Sequence, residues 1–184
     1  MSRARSAENR AAMVDAASVL VRERGLAGVT IEAVCARVGL TNGGFYKQFT
    51  SREALVLEAL QHVVEQRRVL MSGLGDPLES TTWQALIDVY LSDEHRDDPG
   101  HGCVVAALAG DPELPTSAGF GDELRHGLID LAATAPGADE NPDRGLATVA
   151  LLVGALQLAR MTVGTALSEQ ILAAARAELT GGRP

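Results

Sequence analysis

Residues 30–55 read TIEAVCARVGLTNGGFYKQFTSREAL. Thr30 can cap one helix and Thr41 the next, because threonine side chains accept hydrogen bonds from the free amides at helix starts. Gly39 lies between them and supplies the left-handed backbone that other residues adopt only at a cost. The segment therefore predicts two short helices joined by a tight turn, an arrangement that places side chains in the major groove of DNA.

The rest of the chain also has the spacing of amphipathic helices. Apolar residues recur three or four positions apart in residues 8–24 and 52–71, without strand-like alternation or an internal repeat. Aromatic residues make up only 3% of the chain, and an aliphatic core suits helix packing better than a sheet. We predict an all-α fold of about nine helices, with an N-terminal three-helix helix-turn-helix domain (residues 1–50) and a second helical domain (residues 51–184). Helices of the second domain are expected near residues 52–71, 78–91, 103–109, 118–133, 143–163 and 168–179, with a polar loop at 92–100.

The charge of the chain is divided unevenly. Its formal net charge is −8, but residues 1–52 carry eight Lys and Arg against four acidic residues, which leaves residues 53–184 with −12. A basic N-terminal segment followed by an acidic remainder is expected when only the first part of a protein binds the phosphates of nucleic acid. The alternative is chance clustering of surface arginines.

Several classes of protein are disfavoured by the composition. The N-terminal residues lack the apolar core of a secretory signal, and the apolar run at 146–156 is shorter than the about 20 residues that a membrane span needs. The two cysteines, at unrelated positions, make no disulfide framework. We therefore expect a cytoplasmic protein that does not enter a membrane.

The start of the third predicted helix is almost free of side chains. Gly43 and Gly44 are each unfavourable in a helix by about 1 kcal/mol relative to alanine. Close approach of a DNA backbone or base edge gives a reason for this pair, and fraying of a short helix is the alternative.

The next residues separate into a buried side and an outward side. Phe45 and Phe49 are expected in the core, which leaves Lys47, the only lysine of the chain, and Gln48 outward. Gln48 can make paired hydrogen bonds to adenine, while Lys47 can reach guanine or a phosphate. Arg52, at the start of the following helix, is well placed for a phosphate. Solvated surface is the alternative for any one of these residues.

Residues 8–60 resemble the tetracycline-repressor-like (TetR) family of transcriptional regulators. The match includes an amphipathic first helix ending in RERG and the segment GVTIEAVCARVGLTNGGFYKQFTSREAL. The chain departs from some members at Glu32, where they place a basic or neutral residue that faces DNA. The resemblance implies phosphate contacts from Thr30, Tyr46 and Arg52. It also implies that the residues facing DNA are Thr41, Asn42, Gly43, Gly44, Tyr46, Lys47 and Gln48.

The C-terminal part carries a second resemblance. YLSDEHRDDPGHGCVVAALAGD (residues 90–111) and LLVGALQLAR (residues 151–160) look like one subgroup of TetR proteins. The predicted helix at 143–163 is nearly apolar all round and rich in small residues, so it needs a partner. The family pairs its last two helices with their symmetry mates, which implies a homodimer through these helices. A buried core helix in a monomer is the alternative.

A regulator of this family implies a cavity for a small-molecule effector in residues 51–184. The aliphatic composition of this part, with acidic residues flanking it, suggests a small apolar or cationic ligand. Each candidate wall residue could equally be core packing. The candidates are His62, Trp83, Tyr90, Cys103, Phe120, Gln157 and Met161.

Residues 95–103 contain side chains that could form a metal or redox site. His95, His101 and Cys103 lie near Asp97 and Asp98, but this spacing matches no standard zinc pattern, so we predict no metal and no cofactor. Cys103 could sense oxidants or electrophiles because it opens a helix, where a thiolate is stabilised. Inert packing of Cys103 is the alternative.

These observations favour a ligand-responsive transcriptional regulator that binds a double-stranded DNA operator. We expect a repressor that a small molecule releases from its operator. The alternatives are a metal- or redox-responsive regulator acting through Cys103 and His101, and a helical enzyme with an incidental helix-turn-helix. Because the sequence contains no nucleophile elbow, phosphate loop or zinc-protease helix, we do not expect an enzyme.

Overall fold

The computed structural model of the protein describes residues 3–73, 80–114 and 119–181. These residues form helices and short 3-10 turns with no strand, which confirms the all-α prediction. The predicted helix starts at residues 78 and 118 lie outside the described residues. The helices are α1 (Arg3–Arg24), α2 (Ile31–Val38), α3 (Asn42–Phe45), α4 (Arg52–Gly73), α5 (Ser80–Tyr90), α6 (Asp93–Asp97), α7 (Val104–Leu108), α8 (Phe120–Ala133), α9 (Pro142–Met161) and α10 (Ala166–Leu179), with 3-10 turns at Leu26–Gly28 and Pro99–His101.

One short helix lies where the sequence predicted a polar loop. Helix α6 begins after Ser92, whose hydroxyl accepts a hydrogen bond from the amide of His95 at 3.1 Å. Asp93 and Glu94 occupy its first turn, where negative charges interact favourably with the positive end of the helix dipole. The loop prediction for residues 92–97 is therefore wrong because a capping serine and two acids are enough to start a helical turn.

The chain divides into two compact units. The first unit comprises Met1–Arg68 and Pro99–Gly121, and the second comprises Val69–Asp98 and Asp122–Pro184. These units are defined by packing alone. The functional division that we predict, DNA binding in residues 1–50 and ligand binding with dimerisation in residues 51–184, stays a prediction.

The core of the first unit is built around α1. Met13, Ala17 and Val21 of α1 are fully buried, as are Phe45 after the tight turn and Ala59 of α4. The 3-10 turn at Pro99–His101 packs against α1 so closely that a Cβ at its central glycine would lie 2.7 Å from Val19 Cγ1. A segment far along the chain is thereby packed onto the first helix.

The core of the second unit is formed by α5, α9 and α10. Trp83 and Ile87 of α5, and Leu91 just after it, pack in one cluster with apolar residues of α9 and α10. The guanidinium of Arg160 in α9 donates to the carbonyl oxygens of His95 at 2.7 Å and Arg96 at 3.2 Å. These bonds hold the C-terminal end of α6 against α9.

Helix α9 is the one described helix that is long and apolar enough to cross a membrane, by length and composition only. A core helix of a soluble protein passes the same test. Only 33% of its apolar window is buried within a single chain. A large part of the apolar surface of this helix is therefore not covered by the rest of the described chain.

Candidate nucleic-acid interface

The two predicted caps and the tight turn are present. The hydroxyl of Thr30 accepts from the amide of Ala33 at 3.1 Å, and that of Thr41 accepts from the amide of Gly44 at 3.3 Å. Helix α2 ends at Gly39, whose φ of 66° is the left-handed conformation that glycine adopts without strain. These local contacts form the helix-turn-helix that the sequence predicted.

Helix α3 is fixed by its buried side. Phe45 is fully buried and its ring lies 5.7 Å from that of Phe49, which is also buried. The Arg10 guanidinium of α1 covers the Phe49 ring at 4.1 Å. Because Phe45 lies on the buried side of α3, the opposite side faces solvent. The residues on or beside it are Thr41, Asn42, Gly43, Tyr46 and Lys47, all exposed, and Gly44 and Gln48, which are half-buried.

Nothing inside the chain requires glycine at the start of α3. Added Cβ atoms at Gly43 and Gly44 would meet neighbours only at 3.6 Å or more, which is ordinary contact. Neither glycine has a positive φ, so the backbone conformation does not require glycine either. Alanine would fit both positions and favour the helix. The described residues therefore give no internal reason for the pair.

Gln48 is engaged within the protein rather than open to solvent. Its Nε2 donates to Ser6 Oγ at 3.0 Å, and Ser6 Oγ donates to its Oε1 at 3.2 Å. Its backbone oxygen accepts from Arg10. A base contact by Gln48 requires it to exchange Ser6 for DNA.

Arg52 is engaged as well. Its Nε donates to the Val29 oxygen at 2.8 Å, and its Nη2 donates to the Leu26 oxygen and lies 3.2 Å from Glu113 Oε2. The guanidinium thus ties the start of α4 to the connection between α1 and α2. A phosphate contact by Arg52 stays a prediction, and the structure adds this internal role.

At least half of the basic residues in residues 1–52 are paired or buried within the chain. Arg10 pairs with Glu58, Arg37 makes two 2.9 Å bonds to Glu23, and Arg52 pairs with Glu113. Arg22 is buried. Arg3, Arg24 and Lys47 are exposed, so the cationic surface offered by this part of the chain is smaller than its net charge indicates. Glu32 is also exposed, in the first turn of α2.

The candidate ligand residues are divided between the two units. His62, Cys103 and Phe120 belong to the first, and Trp83, Tyr90, Gln157 and Met161 belong to the second. Trp83 and Phe120 are buried, whereas His62, Tyr90 and Cys103 are half-buried and Gln157 and Met161 are exposed. His62 lies beside Gln66 at 2.9 Å, and the Tyr90 ring packs edge-on against His95 at 4.7 Å.

Some residues with a part in this region were not found from the sequence. Ser6 holds Gln48, Asp111 contacts the connection between α1 and α2, and Glu113 pairs with Arg52. No spacing pattern marks these side chains because their partners lie 42 to 85 positions away. Among the described residues, no group of three or more His, Cys, Asp and Glu is arranged to hold a metal.

An all-α fold with an exposed helix-turn-helix is typical of DNA-binding regulators. Residues 13–59 match the model of the bacterial regulatory proteins, tetR family. An uncharacterized HTH-type transcriptional regulator of Bacillus subtilis, YerO, is 23% identical over 96 residues, which cover 52% of this chain and 33% of that protein. The match therefore spans about a third of the length of this curated relative.

Solved structures share the fold over nearly the whole chain. A TetR-family regulator from Agrobacterium tumefaciens has a TM-score of 0.75 at 20% identity, covering 96% of this chain and 98% of that one. NemR of E. coli in its reduced form has a TM-score of 0.69 at 20% identity, covering 94% and 96%. Residues 13–59 therefore carry the domain described by the tetR family of bacterial regulatory proteins, which confirms the resemblance seen in residues 8–60.

Proposed function

We propose that this protein is a ligand-responsive transcriptional repressor that binds its operator as a homodimer and leaves it when a small molecule binds. The observation that carries the proposal is the glycine pair of α3. Neither backbone conformation nor internal packing requires Gly43 and Gly44, yet both stand at the outward start of the helix that follows the tight turn. Close approach of DNA gives these glycines a purpose.

The reading surface is assigned around that pair. Lys47 and Gln48 are the proposed base-reading residues, with Thr41, Asn42 and Tyr46 beside them. Thr30 and Arg52 flank the surface as proposed phosphate contacts. A side chain that hydrogen-bonds a base edge contributes about 1–3 kcal/mol of discrimination, whereas a phosphate contact strengthens binding to every sequence.

The test begins with selection of binding sites from random duplex DNA by the full-length protein. Mobility shifts on the selected duplex are then compared for wild type, Lys47→Ala and Gln48→Ala. Arg144→Ala is the matched control because Arg144 is an exposed cation in the second unit. Unchanged binding by both Lys47→Ala and Gln48→Ala would count against the assigned surface, and absence of any selected site would count against DNA binding itself.

The proposed dimer uses α9 and α10. Leu158 and Met161 of α9 are 49% and 74% exposed, and Leu167 of α10 is 51% exposed. A Cβ at Gly154 would meet nothing within 4 Å, so the middle of α9 is open to a close neighbour. A second copy of these helices would bury this surface, as in family dimers.

Sedimentation of Leu158→Glu and Leu167→Glu tests the dimer. Each places a charge in the proposed interface, so we expect monomers at concentrations where the wild type is dimeric. Ile129→Glu is the control, because Ile129 is 57% exposed on α8 outside this surface. A dimer that survives both interface substitutions would place the interface elsewhere.

The proposed effector is a small apolar or cationic molecule bound in the C-terminal part of the chain. Trp83, the only tryptophan, is buried in the second unit and can report binding nearby by its fluorescence. A lipophilic quaternary ammonium ion and a neutral lipophile of similar size are suitable probes. If neither perturbs Trp83 emission nor releases the selected duplex, this ligand class is wrong.

A redox-responsive regulator is the second candidate, favoured by the surroundings of Cys103. Arg22 is 8% exposed, and its hydrogen bonds go to neutral oxygens, of which Gln66 Oε1 is nearest at 2.6 Å. Burial lowers the pKa of the Arg22 guanidinium, whereas an ionised Cys103 would raise it and the Asp15 carboxylate also raises it. A Cys103 thiolate would therefore give this buried cation an anionic partner.

Mass spectrometry after treatment with hydrogen peroxide tests the second candidate. Cys35 is the internal control because it is buried and burial raises the pKa of its thiol. The candidate requires oxidation of Cys103 before Cys35, with loss of DNA binding that Cys103→Ser prevents. Both forms of regulator act on DNA in the cytoplasm, and neither assigns an enzymatic reaction to the chain.

A further inference from the structure

Asp111 connects two parts of the first unit that are far apart in sequence. It lies just beyond α7, and its Oδ2 accepts a hydrogen bond from the amide of Leu26 at 2.7 Å. Its Oδ1 accepts from the amide of Glu113 at 2.9 Å. One carboxylate thus fixes both its own loop and the connection between α1 and α2.

The connection is shaped to receive this carboxylate. Gly25, the residue before Leu26, has a φ of 70°, which favours glycine. A Cβ at Gly25 would lie 2.5 Å from Asp111 Oδ2, a distance that forces one of the two groups to move. Gly25 is therefore needed both for its backbone conformation and for the approach of Asp111.

A second acidic residue of the same loop is linked to this connection through Arg52 at the start of α4. Glu113 lies 3.2 Å from the guanidinium of Arg52, which also donates to the carbonyl oxygens of Leu26 and Val29. The residue after Val29 is Thr30, the cap of α2. The loop after α7 therefore contacts the chain immediately before the helix-turn-helix.

We propose that Asp111 is a positioning residue for DNA recognition. It holds the α1–α2 connection so that α2 and α3 are presented to DNA. Through Asp111, the loop after α7 affects the affinity for DNA. This inference rests on the proposed DNA-binding function. Asp111 does not contact DNA in this role. It acts through Leu26, whose amide it anchors.

The sign of the effect separates positioning from electrostatics. Removing an acidic charge near a DNA-binding surface strengthens binding when only Coulomb forces act. Loss of an anchor weakens binding instead, because the reading helix no longer has a single orientation. Asp111→Asn and Asp111→Ala remove the same charge, but asparagine keeps one acceptor oxygen and alanine keeps none. Positioning therefore predicts affinity in the order wild type, Asn, Ala, whereas electrostatics predicts two equal variants that bind more tightly than wild type.

The experiment measures binding of the full chain to the duplex that the wild type selects from random DNA. We expect a loss of about tenfold for Asp111→Ala and a smaller loss for Asp111→Asn. Gly25→Ala disturbs the same contact from the other side without changing charge, and we expect it to weaken binding as well. Glu123→Gln, at an exposed acid of the second unit, is the charge control and is expected to bind as wild type does.

All affinities are compared at a temperature where circular dichroism shows each protein to be folded. Asp111→Asn keeps the side-chain volume and decides the outcome where Asp111→Ala does not fold. If the wild type binds the duplex and Asp111→Asn binds equally or more tightly, the inference is overturned while the proposed function stands. If the wild type selects no duplex at all, the proposed function fails first.

Discussion

The side-chain amide of Gln48 is hydrogen-bonded to the hydroxyl of Ser6, with Nε2 donating to Oγ at 3.0 Å and Oγ donating to Oε1 at 3.2 Å. A glutamine that reads adenine uses these same two groups. Gln48 therefore has one partner in the isolated protein and another in the proposed complex. In that proposed complex the N-terminal turn of α1 would compete with DNA for Gln48.

Replacement of Ser6 by alanine tests this competition. Ser6→Ala removes the internal partner, so Gln48 no longer loses two hydrogen bonds when it contacts a base. We therefore expect operator affinity to rise by about two- to tenfold. Fluorescence anisotropy with a labelled duplex measures the change. The gain has to vanish in the double variant with Gln48→Ala, and a gain that persists there would come from some other contact.

Substitution of the glycine pair is expected to have opposite effects on stability and binding. Gly43→Ala and Gly44→Ala should each raise the free energy of unfolding by about 0.5–1 kcal/mol, because alanine favours helix and space exists for the Cβ. The same methyl groups should lower operator affinity by about tenfold by keeping DNA from the backbone. Thermal unfolding and mobility shifts give the two quantities. Variants that are more stable and bind as before would show that the glycines merely tolerate substitution.

Lys47 should contribute to the salt dependence of binding. If its ammonium group neutralises one phosphate, Lys47→Gln lowers the slope of log K against log salt by about 0.9. The measurement is a titration of duplex at several salt concentrations. Arg144→Gln, which removes an exposed cation of the second unit, should leave the slope unchanged. A Lys47→Gln protein with weaker binding but the wild-type slope would assign Lys47 to a base edge instead.

Protonation of His95 should destabilise the fold. Its ring nitrogen Nδ1 lies 2.7 Å from the Tyr90 carbonyl oxygen. Burial lowers the pKa of His95 below its ordinary value of 6.5, and the nearby charge of Arg160 lowers it further. The unfolded chain therefore binds the proton more readily than the folded one. The contribution of neutral His95 to stability is present above pH 6.5 and is lost as the pH falls through the window between 6.5 and the lower folded pKa.

Melting temperatures of wild type and His95→Asn between about pH 5 and pH 8 measure this effect. Asparagine keeps a donor near the Nδ1 position but does not titrate. We expect the difference between the two proteins to be constant above pH 6.5 and to shift against the wild type as the pH falls. A difference that is independent of pH would exclude His95 as the titrating group.

Local features of the site were predictable because their causes are local. Thr30 and Thr41 cap helices within three residues of themselves, Ser51 does the same for α4, and Gly39 ends α2 by its own backbone conformation. The order of residues alone specifies such contacts. The loop prediction was wrong at residues 93–97 for a related reason: Ser92 caps α6 within three residues of itself, although the polar composition of this segment is typical of a loop.

The sequence by itself determined the helix-turn-helix, the all-α class and the resemblance of residues 13–59 to the tetR family, because periodicity, caps and the glycine at the turn act over a few residues. Only the tertiary structure decided which polar groups are engaged. Gln48 is bonded to Ser6, Arg52 ties α4 to the connection before α2, and Asp111 anchors Leu26 from 85 positions away. Such pairs form where packing brings distant segments together, so the spacing of residues along the sequence does not predict them.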